Sequence, residues 1–381
     1  MIKKNTILFL ILIFPFLEPT VFEYRGGFID YIFMVWKLLS TIYIFLSYVH
    51  DVKKNGINKV MIAIILYQLL RIIVNIINGI SINEVIGNVL SILGFSCLID
   101  YYIRREPKMV IKVLYFIFNI FLIINYFSYN FNILKFFDNI YFLGMRTRFT
   151  DVAYCLIVIS FLQYHFTKNK FGLVFSNLLG ICNILMASVT TGMIGLVIFY
   201  AIFIFLNITK RKYVNWYIPF LTSSIIFNVS IVFFRIQERF AYIIQQIFHK
   251  NLTFTGRTLI WDSALDKIAD SKMIGHGFYN NGKFAYYRGI VWQAHNQILQ
   301  IFYETGYIGL IAFIFILISC SKKLNNYKSE YCSKVVIAGI IGISIMMISE
   351  ILSIYVYFFL LVIIAFNINM LIRGDKNEIS R

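Results

Sequence analysis

Charge is what this sequence has least of. Of its 381 residues only 14% are Asp, Glu, Lys or Arg, where a soluble fold carries about a quarter. With 60% hydrophobic residues, too little polar surface remains to clothe a globule, and a soluble fold is excluded. Cysteine is scarce as well. Cys97, Cys155 and Cys182 fall inside apolar runs, and Cys320 and Cys332 flank a Lys-rich connection. None falls in a predicted external loop, so no structural disulfide is expected, and no CxxC pair has metal-ligand spacing. Also missing are a Walker motif, a GxGxxG after a strand, an HExxH and a DxD-type acidic pair. The sequence therefore predicts no metal and no cofactor. It has no internal repeat and no low-complexity linker, which predicts a single domain over 1–381.

What the chain does have is apolar runs, most of them near the roughly 20 residues that cross a bilayer core. They lie at about 6–22, 28–49, 60–80, 82–103, 109–129, 151–166, 171–189, 192–207, 216–234, 298–319, 334–350 and 353–372. The expected fold is all-α, a polytopic membrane protein of about twelve transmembrane helices. Glu18-Pro19 and the lack of a small-residue cleavage pattern make the first run a retained span rather than a signal peptide. The net charge of +17 is scattered in short clusters between runs, as membrane topology produces, so no nucleic-acid partner is expected. With Lys3 and Lys4 inside, alternate connections carry Lys53/Lys54/Lys59, Arg104/Arg105/Lys108, Lys168/Lys170, Lys210/Arg211/Lys212 and Lys322/Lys323/Lys328, while the short outside connections near 81, 190 and 351 carry no Lys or Arg. Both termini are thus expected in the cytoplasm of a bacterial inner-membrane protein. Richness in Ile, Phe, Asn, Lys and Tyr suggests an AT-rich gene.

Two external segments break the pattern. One is 130–150, with Lys135, Arg146 and Arg148. The other is 235–297, a large loop carrying eight Lys or Arg residues. Long loops escape the charge rule, and a cationic surface beside the headgroups implies an anionic ligand or membrane lipid. Within the large loop, Arg235–Lys250 has the spacing of an amphipathic interfacial helix. A second helix is expected over about Thr258–Ala269, with Leu259, Leu265 and Ile268 on one side. Gly275-His276-Gly277 marks a turn.

Three constellations carry possible chemistry. Ala294-His295-Asn296 stands where the large loop enters the next span, and on a continuous helix His295, Leu299, Phe302, Gly306 and Gly309 share one face. Gly306 and Gly309 would then permit close helix contact, holding a wet, accessible histidine able to titrate near neutral pH. The alternative is an interfacial anchor shared with Trp292. Second, Gly256-Arg257 opens the loop helix, with Gly256 admitting a ligand to the backbone and Arg257 offering a forked phosphate donor. It could equally be a helix start with a surface arginine. Third, Arg146 and Arg148 enter a span from outside, suiting a diphosphate or lipid headgroups. Arg71, Lys37, Glu304 and Glu350 lie in or near spans, where ionisable groups are functional suspects that also pair or snorkel.

The stretch G256-R-T-L-I-W, then K272-M-I-G-H-G-F, then A294-H-N-Q-I-L-Q-I-F-Y-E-T-G-Y-I-G resembles the signature region of the O-antigen ligase and polymerase superfamily of bacterial envelope glycosyltransferases. The clear match spans roughly 55 residues, and R146-T-R148-F-T-D151-V-A is similar to the family's arginine-bearing entry to a middle span. One departure is Ser188-Val189-Thr190-Thr191-Gly192, where many relatives carry Ser-Arg; it shifts more of the phosphate contact to Arg146 or Arg148. The resemblance implies glycan transfer from an undecaprenyl-diphosphate-linked oligosaccharide to an acceptor sugar, with Arg257 and Arg288, helped by Arg146 or Arg148, on the diphosphate and His295 as the catalytic residue that orients or deprotonates the acceptor hydroxyl. A polymerase of O-antigen or capsule repeats is the leading expectation, and it leaves room for a chain-length-regulating partner. A ligase acting on lipid A core is the alternative. A lipid-linked-sugar flippase fits less well, since this chain has one lopsided loop and few intramembrane charges.

Overall fold

The computed structural model describes residues 4–133, 139–209, 214–240 and 256–379. The expected interfacial helix over Arg235–Lys250 falls mostly outside these residues, and its described start, Ile236–Phe240, is a short 3-10 turn. Lys135, Lys210, Arg211, Lys212 and Thr255 lie outside them too.

Apolar sequence in a bilayer must satisfy every backbone N–H and C=O internally, and helices do so. In chain order the helices are α1 (Lys4–Ile13), α2 (Thr20–Arg25), α3 (Phe28–Asn55), α4 (Lys59–Ile77), α5 (Asn83–Ile103), α6 (Pro107–Phe131), α7 (Arg146–Thr167), α8 (Lys170–Ala187), α9 (Thr190–Ile208) and α10 (Tyr217–Phe234). Next come α11 (Arg257–Ala269), a hairpin of β1 (Ala285–Tyr287) and β2 (Ile290–Trp292), then α12 (Gln297–Ser319), α13 (Ser321–Asn326), α14 (Tyr331–Met346), α15 (Val356–Phe366) and α16 (Ile368–Ile379). Their ends are written in the sequence. Pro107 opens α6, Asn169 accepts the Gly172 N–H to cap α8, and Ser188 closes α8 in the left-handed region.

Among the described residues nine helices are long and apolar enough to cross a membrane, and three shorter apolar helices, Lys4–Leu17, Tyr331–Met346 and Val356–Phe366, stand where the other three spans were expected. The chain is an all-α polytopic membrane protein; the small hairpin is its one departure among the described residues. Its central helix is α7, enclosed by α6, α8, α14 and α15, and Phe149 to Leu162 are all buried. At one end of the bundle Asp100 accepts from Tyr48 (2.7 Å), Asn367 (2.8 Å) and Asn58 (2.5 Å) and pairs with Arg104 (3.0 Å). That polar knot joins α3, α5 and the α15–α16 break.

The opposite end of the bundle is shaped by two helix breaks. The long apolar run over 334–372 divides around Ser349-Glu350, as expected. There α14 ends at Met346, a non-helical turn runs to Tyr355, and the 11-residue α15 leads back to the break at Asn367 beside Asp100. The turn's backbone is satisfied by Gln297, whose Oε1 accepts the N–H groups of Leu352 (2.8 Å) and Ser353 (2.9 Å). The second break corrects the expected continuous helical face. Helix α12 begins only after Asn296 and kinks at Gly306 (φ 61°, ψ −160°). Into the kink comes the Lys272–Gly277 loop: His276 N–H donates to Tyr303 O (2.7 Å), Gly277 N–H to Glu304 O (2.9 Å), and Tyr307 N–H to Lys272 O (2.9 Å). Gly306 therefore admits a loop, not a neighbouring helix, and the space a side chain would need at Gly309 holds Thr305 of its own helix.

A Cβ at Gly306 would sit 2.3 Å from the Met273 carbonyl oxygen, on top of a backbone region that costs a non-glycine residue about 1–3 kcal/mol. Gly306→Ala is expected to lower both accumulation in the membrane and the melting temperature in detergent. Gly87→Ala, where nothing lies within 4 Å, should leave both unchanged.

Candidate active site

The large loop is held to the bundle by its own apolar cluster. One face of α11, Ile260, Trp261, Ala264 and Ile268, packs with Ile231 and Val232 of α10, Leu299 and Phe302 of α12, and Ile348 of the turn. Of the three residues expected on that face only Ile268 is fully buried; Leu259 is exposed and Leu265 half-buried. At the start of α11, Gly256 has φ 89°, and a Cβ there would lie 2.8 Å from the Tyr287 hydroxyl. The space beside Gly256 is thus filled by β1 rather than open to a ligand. This packing fixes Arg257, whose Nη2 donates to Glu350 Oε1 at 3.0 Å in a partly buried ion pair.

The opposite wall is the start of α7. Arg148 lies over the Tyr355 ring at 3.6 Å and pairs with Asp151 at 3.4 Å. It also feels the charge of Glu350, so one carboxylate faces two guanidinium groups. Arg146 is two residues earlier, which on a helix turns its side chain about 200° away. It is exposed, over the ring of Tyr129 at 5.8 Å. The outer turn after α8 touches the same region through Thr191, whose hydroxyl lies 2.5 Å from that of Ser349.

His295 sits between these walls. Its backbone is left-handed (φ 47°), a conformation costing a non-glycine residue about 1–3 kcal/mol and kept only where its surroundings fix it. They do so on both sides. Asn296 caps α12 by accepting the Leu299 N–H (3.0 Å) and donates to Asn228 (2.8 Å) and the Ile348 carbonyl (2.9 Å), while the Ala294 N–H donates to Gln300 (3.0 Å). The imidazole is half-buried, less wet than expected. Burial, then the charges of Arg257 and Arg148, lower its pKa from 6.5 to about 4, so at neutral pH it is an uncharged acceptor. Trp292 flanks it at 6.0 Å between ring centroids, its Nε1 donating to the Tyr287 carbonyl (3.3 Å).

The structure thus brings together His295, Arg257 and Arg148, with Asn296 and Gly256 in supporting positions. It does not bring in Arg146, nor Arg288, which is exposed at the hairpin tip over the ring of Tyr287. Sequence reasoning left Glu350 open between function and simple pairing and overlooked Tyr355. The usable signal was an acidic residue interrupting an apolar run.

Residues 175–314 match the family described as O-antigen ligase. The matched stretch holds Arg257, His295 and the kink at Gly306. Over this stretch the chain is similar to the O-antigen ligase family. A Rickettsia felis protein named "Putative polysaccharide ligase" is 36% identical over 19% of this chain and 21% of its own length. The shared stretch is thus about a fifth of that relative. In O-antigen ligase terms the matched region supplies Arg257 and His295, whereas Arg148 and Glu350 come from segments outside it.

Proposed function

We propose that this chain transfers a glycan from an undecaprenyl-diphosphate-linked donor to an acceptor sugar at the outer face of the bacterial inner membrane. The observation that supports this best is the convergence of Arg148 and Arg257 on an uncharged His295, at the bundle end where the large loop docks. The positive-inside alternation assigns that end to the extracytoplasmic side, with both termini in the cytoplasm.

In this reading the donor diphosphate displaces Glu350 from the guanidinium of Arg257 and bridges to Arg148. The acceptor hydroxyl then forms a bond to the anomeric carbon as the carbon–oxygen bond to the diphosphate breaks. His295 takes the hydroxyl proton through its free ring nitrogen. The bond's electron pair leaves with the polyprenyl diphosphate, whose growing charge the two arginines neutralise. Arg288, at the hairpin tip, and Arg146, beside the bundle, would meet the glycan or headgroups instead of the diphosphate.

The acceptor decides between two enzymes. Our leading assignment is a polymerase that extends lipid-linked repeat units, with a chain-length regulator as a candidate partner. The family description and the relative's name favour a ligase, which loads the finished glycan on lipid A core. Deletion of the gene separates them by gel analysis of the surface glycan. A polymerase mutant should leave one repeat unit on the acceptor. A bare acceptor with accumulated lipid-linked polymer would replace that reading with the ligase. An unchanged glycan profile would refute both.

A further inference from the structure

Beneath the site, inside the bundle, lies a charged pair that glycan transfer does not itself require. Arg71 of α4 is 2% exposed, and its Nε stands 3.5 Å from Glu304 Oε2, also 2% exposed. Arg71 thus does not snorkel, unlike Lys37, which is more exposed and reaches Glu18 at 3.3 Å. Two charges buried away from water are expensive to keep, and neutral packing would often serve stability as well. What the pair touches suggests why it is there.

On one side, Glu304 Oε1 accepts from Gln300 Nε2 at 2.8 Å. The same Nε2 donates to the Gly282 carbonyl (2.9 Å), and Gln300 Oε1 accepts the Ala294 N–H (3.0 Å). Ala294 immediately precedes His295, whose left-handed backbone needs such fixing. On the other side, Arg71 Nη1 donates to Asn88 Oδ1 at 2.7 Å, and Asn88 Nδ2 donates to the Ile354 carbonyl at 2.8 Å. Ile354 immediately precedes Tyr355, the ring under Arg148. A single buried guanidinium therefore reaches the backbone behind His295 through one arm and behind Tyr355 through the other.

We propose that Arg71, Glu304, Gln300 and Asn88 form a positioning relay that fixes the spacing between His295 and the Arg148–Tyr355 wall. None of the four touches the reacting atoms. The relay rests on the proposed glycan transfer only for its purpose; the fixing of His295 stands apart from it.

Gln300→Leu cuts the first arm and leaves both charges paired. Misplacement of a base by about 1 Å costs on the order of a hundredfold, so glycan transfer in membrane vesicles from the host should fall by roughly 10- to 100-fold. The KM for donor should move little, because Arg148 and Arg257 are untouched. In the purified protein, modification of His295 by diethyl pyrocarbonate, followed by mass spectrometry, should speed up several-fold, while modification of His165 at the far end of α7 stays unchanged. Asn88→Leu cuts the second arm and keeps the test decisive if Gln300→Leu fails to accumulate. It should raise the donor KM and leave His295 reactivity as in wild type. Unchanged transfer in an accumulated variant, or unchanged His295 reactivity in Gln300→Leu, overturns the relay. If wild-type membranes transfer no glycan, the functional reading fails and His295 reactivity alone judges the relay.

Discussion

Replacing His295 by alanine is expected to reduce glycan transfer by about 10²- to 10⁴-fold, the range that a positioned general base contributes, with normal amounts of protein in the membrane. Accumulation should survive because the contacts that fix this corner belong to its neighbours. Asn296 caps α12 and Gln300 holds Ala294, whereas among the described residues the imidazole makes no comparable anchor beyond its contact with Trp292. The measurement is surface glycan by gel beside an immunoblot of the membrane fraction. Wild-type glycan in His295→Ala would remove the residue from the mechanism.

The same site carries a pH signature. A base works in its neutral form, and the neutral form of His295 persists down to about pH 4 in the free enzyme. The acid limb of kcat/KM, which reports the free enzyme, should therefore fall near pH 4, below the 6.5 of an ordinary imidazole. Donor diphosphate offsets two of the three causes of that depression, the charges of Arg257 and Arg148. The pKa of His295 must then rise in the complex, and the acid limb of kcat should stand at higher pH than that of kcat/KM. Coincident limbs would mean that the diphosphate does not bind between these arginines.

Most of the bundle was legible because hydropathy and the alternation of Lys and Arg obey the bilayer, which allows few solutions. Helix α11 was legible from the glycine before Arg257 and the apolar spacing after it, although its buried face is turned to Ile260 and Trp261 instead of Leu259. What could not be read is what depends on contacts between distant segments. The kink at Gly306 exists because a loop some thirty residues earlier supplies backbone partners for Tyr303, Glu304 and Tyr307, and a helix-period count has no term for that. The choice of Arg148 over Arg146 follows from helix geometry, but only once Tyr355 marks which face meets the site. The depressed basicity of His295 comes first from burial and then from two arginines on separate helices. Glu350 was visible as an acid in an apolar run; its meaning came with Gln297, which folds the turn that presents it.

Arg257 should be the most sensitive cation of the site. Removing one preorganised donor from a developing anion costs about 10²- to 10³-fold in kcat, and Arg257→Ala is expected to lose at least that in glycan transfer, since it also releases Glu350 into the space of the diphosphate. Its ion pair is only partly buried and its neighbours Ile260, Trp261 and Ala264 hold α11 without it, so the variant should still accumulate. Arg257→Lys is the sharper experiment. A lysine restores the charge, and with it the attraction for donor, but as a point charge it cannot contact two diphosphate oxygens while aligned by the helix start. If bidentate geometry matters, Arg257→Lys recovers donor affinity more than it recovers kcat. If full kcat returns with lysine, Arg257 acts by charge alone, and the geometric role passes to Arg148, whose guanidinium is already clamped between Tyr355 and Asp151.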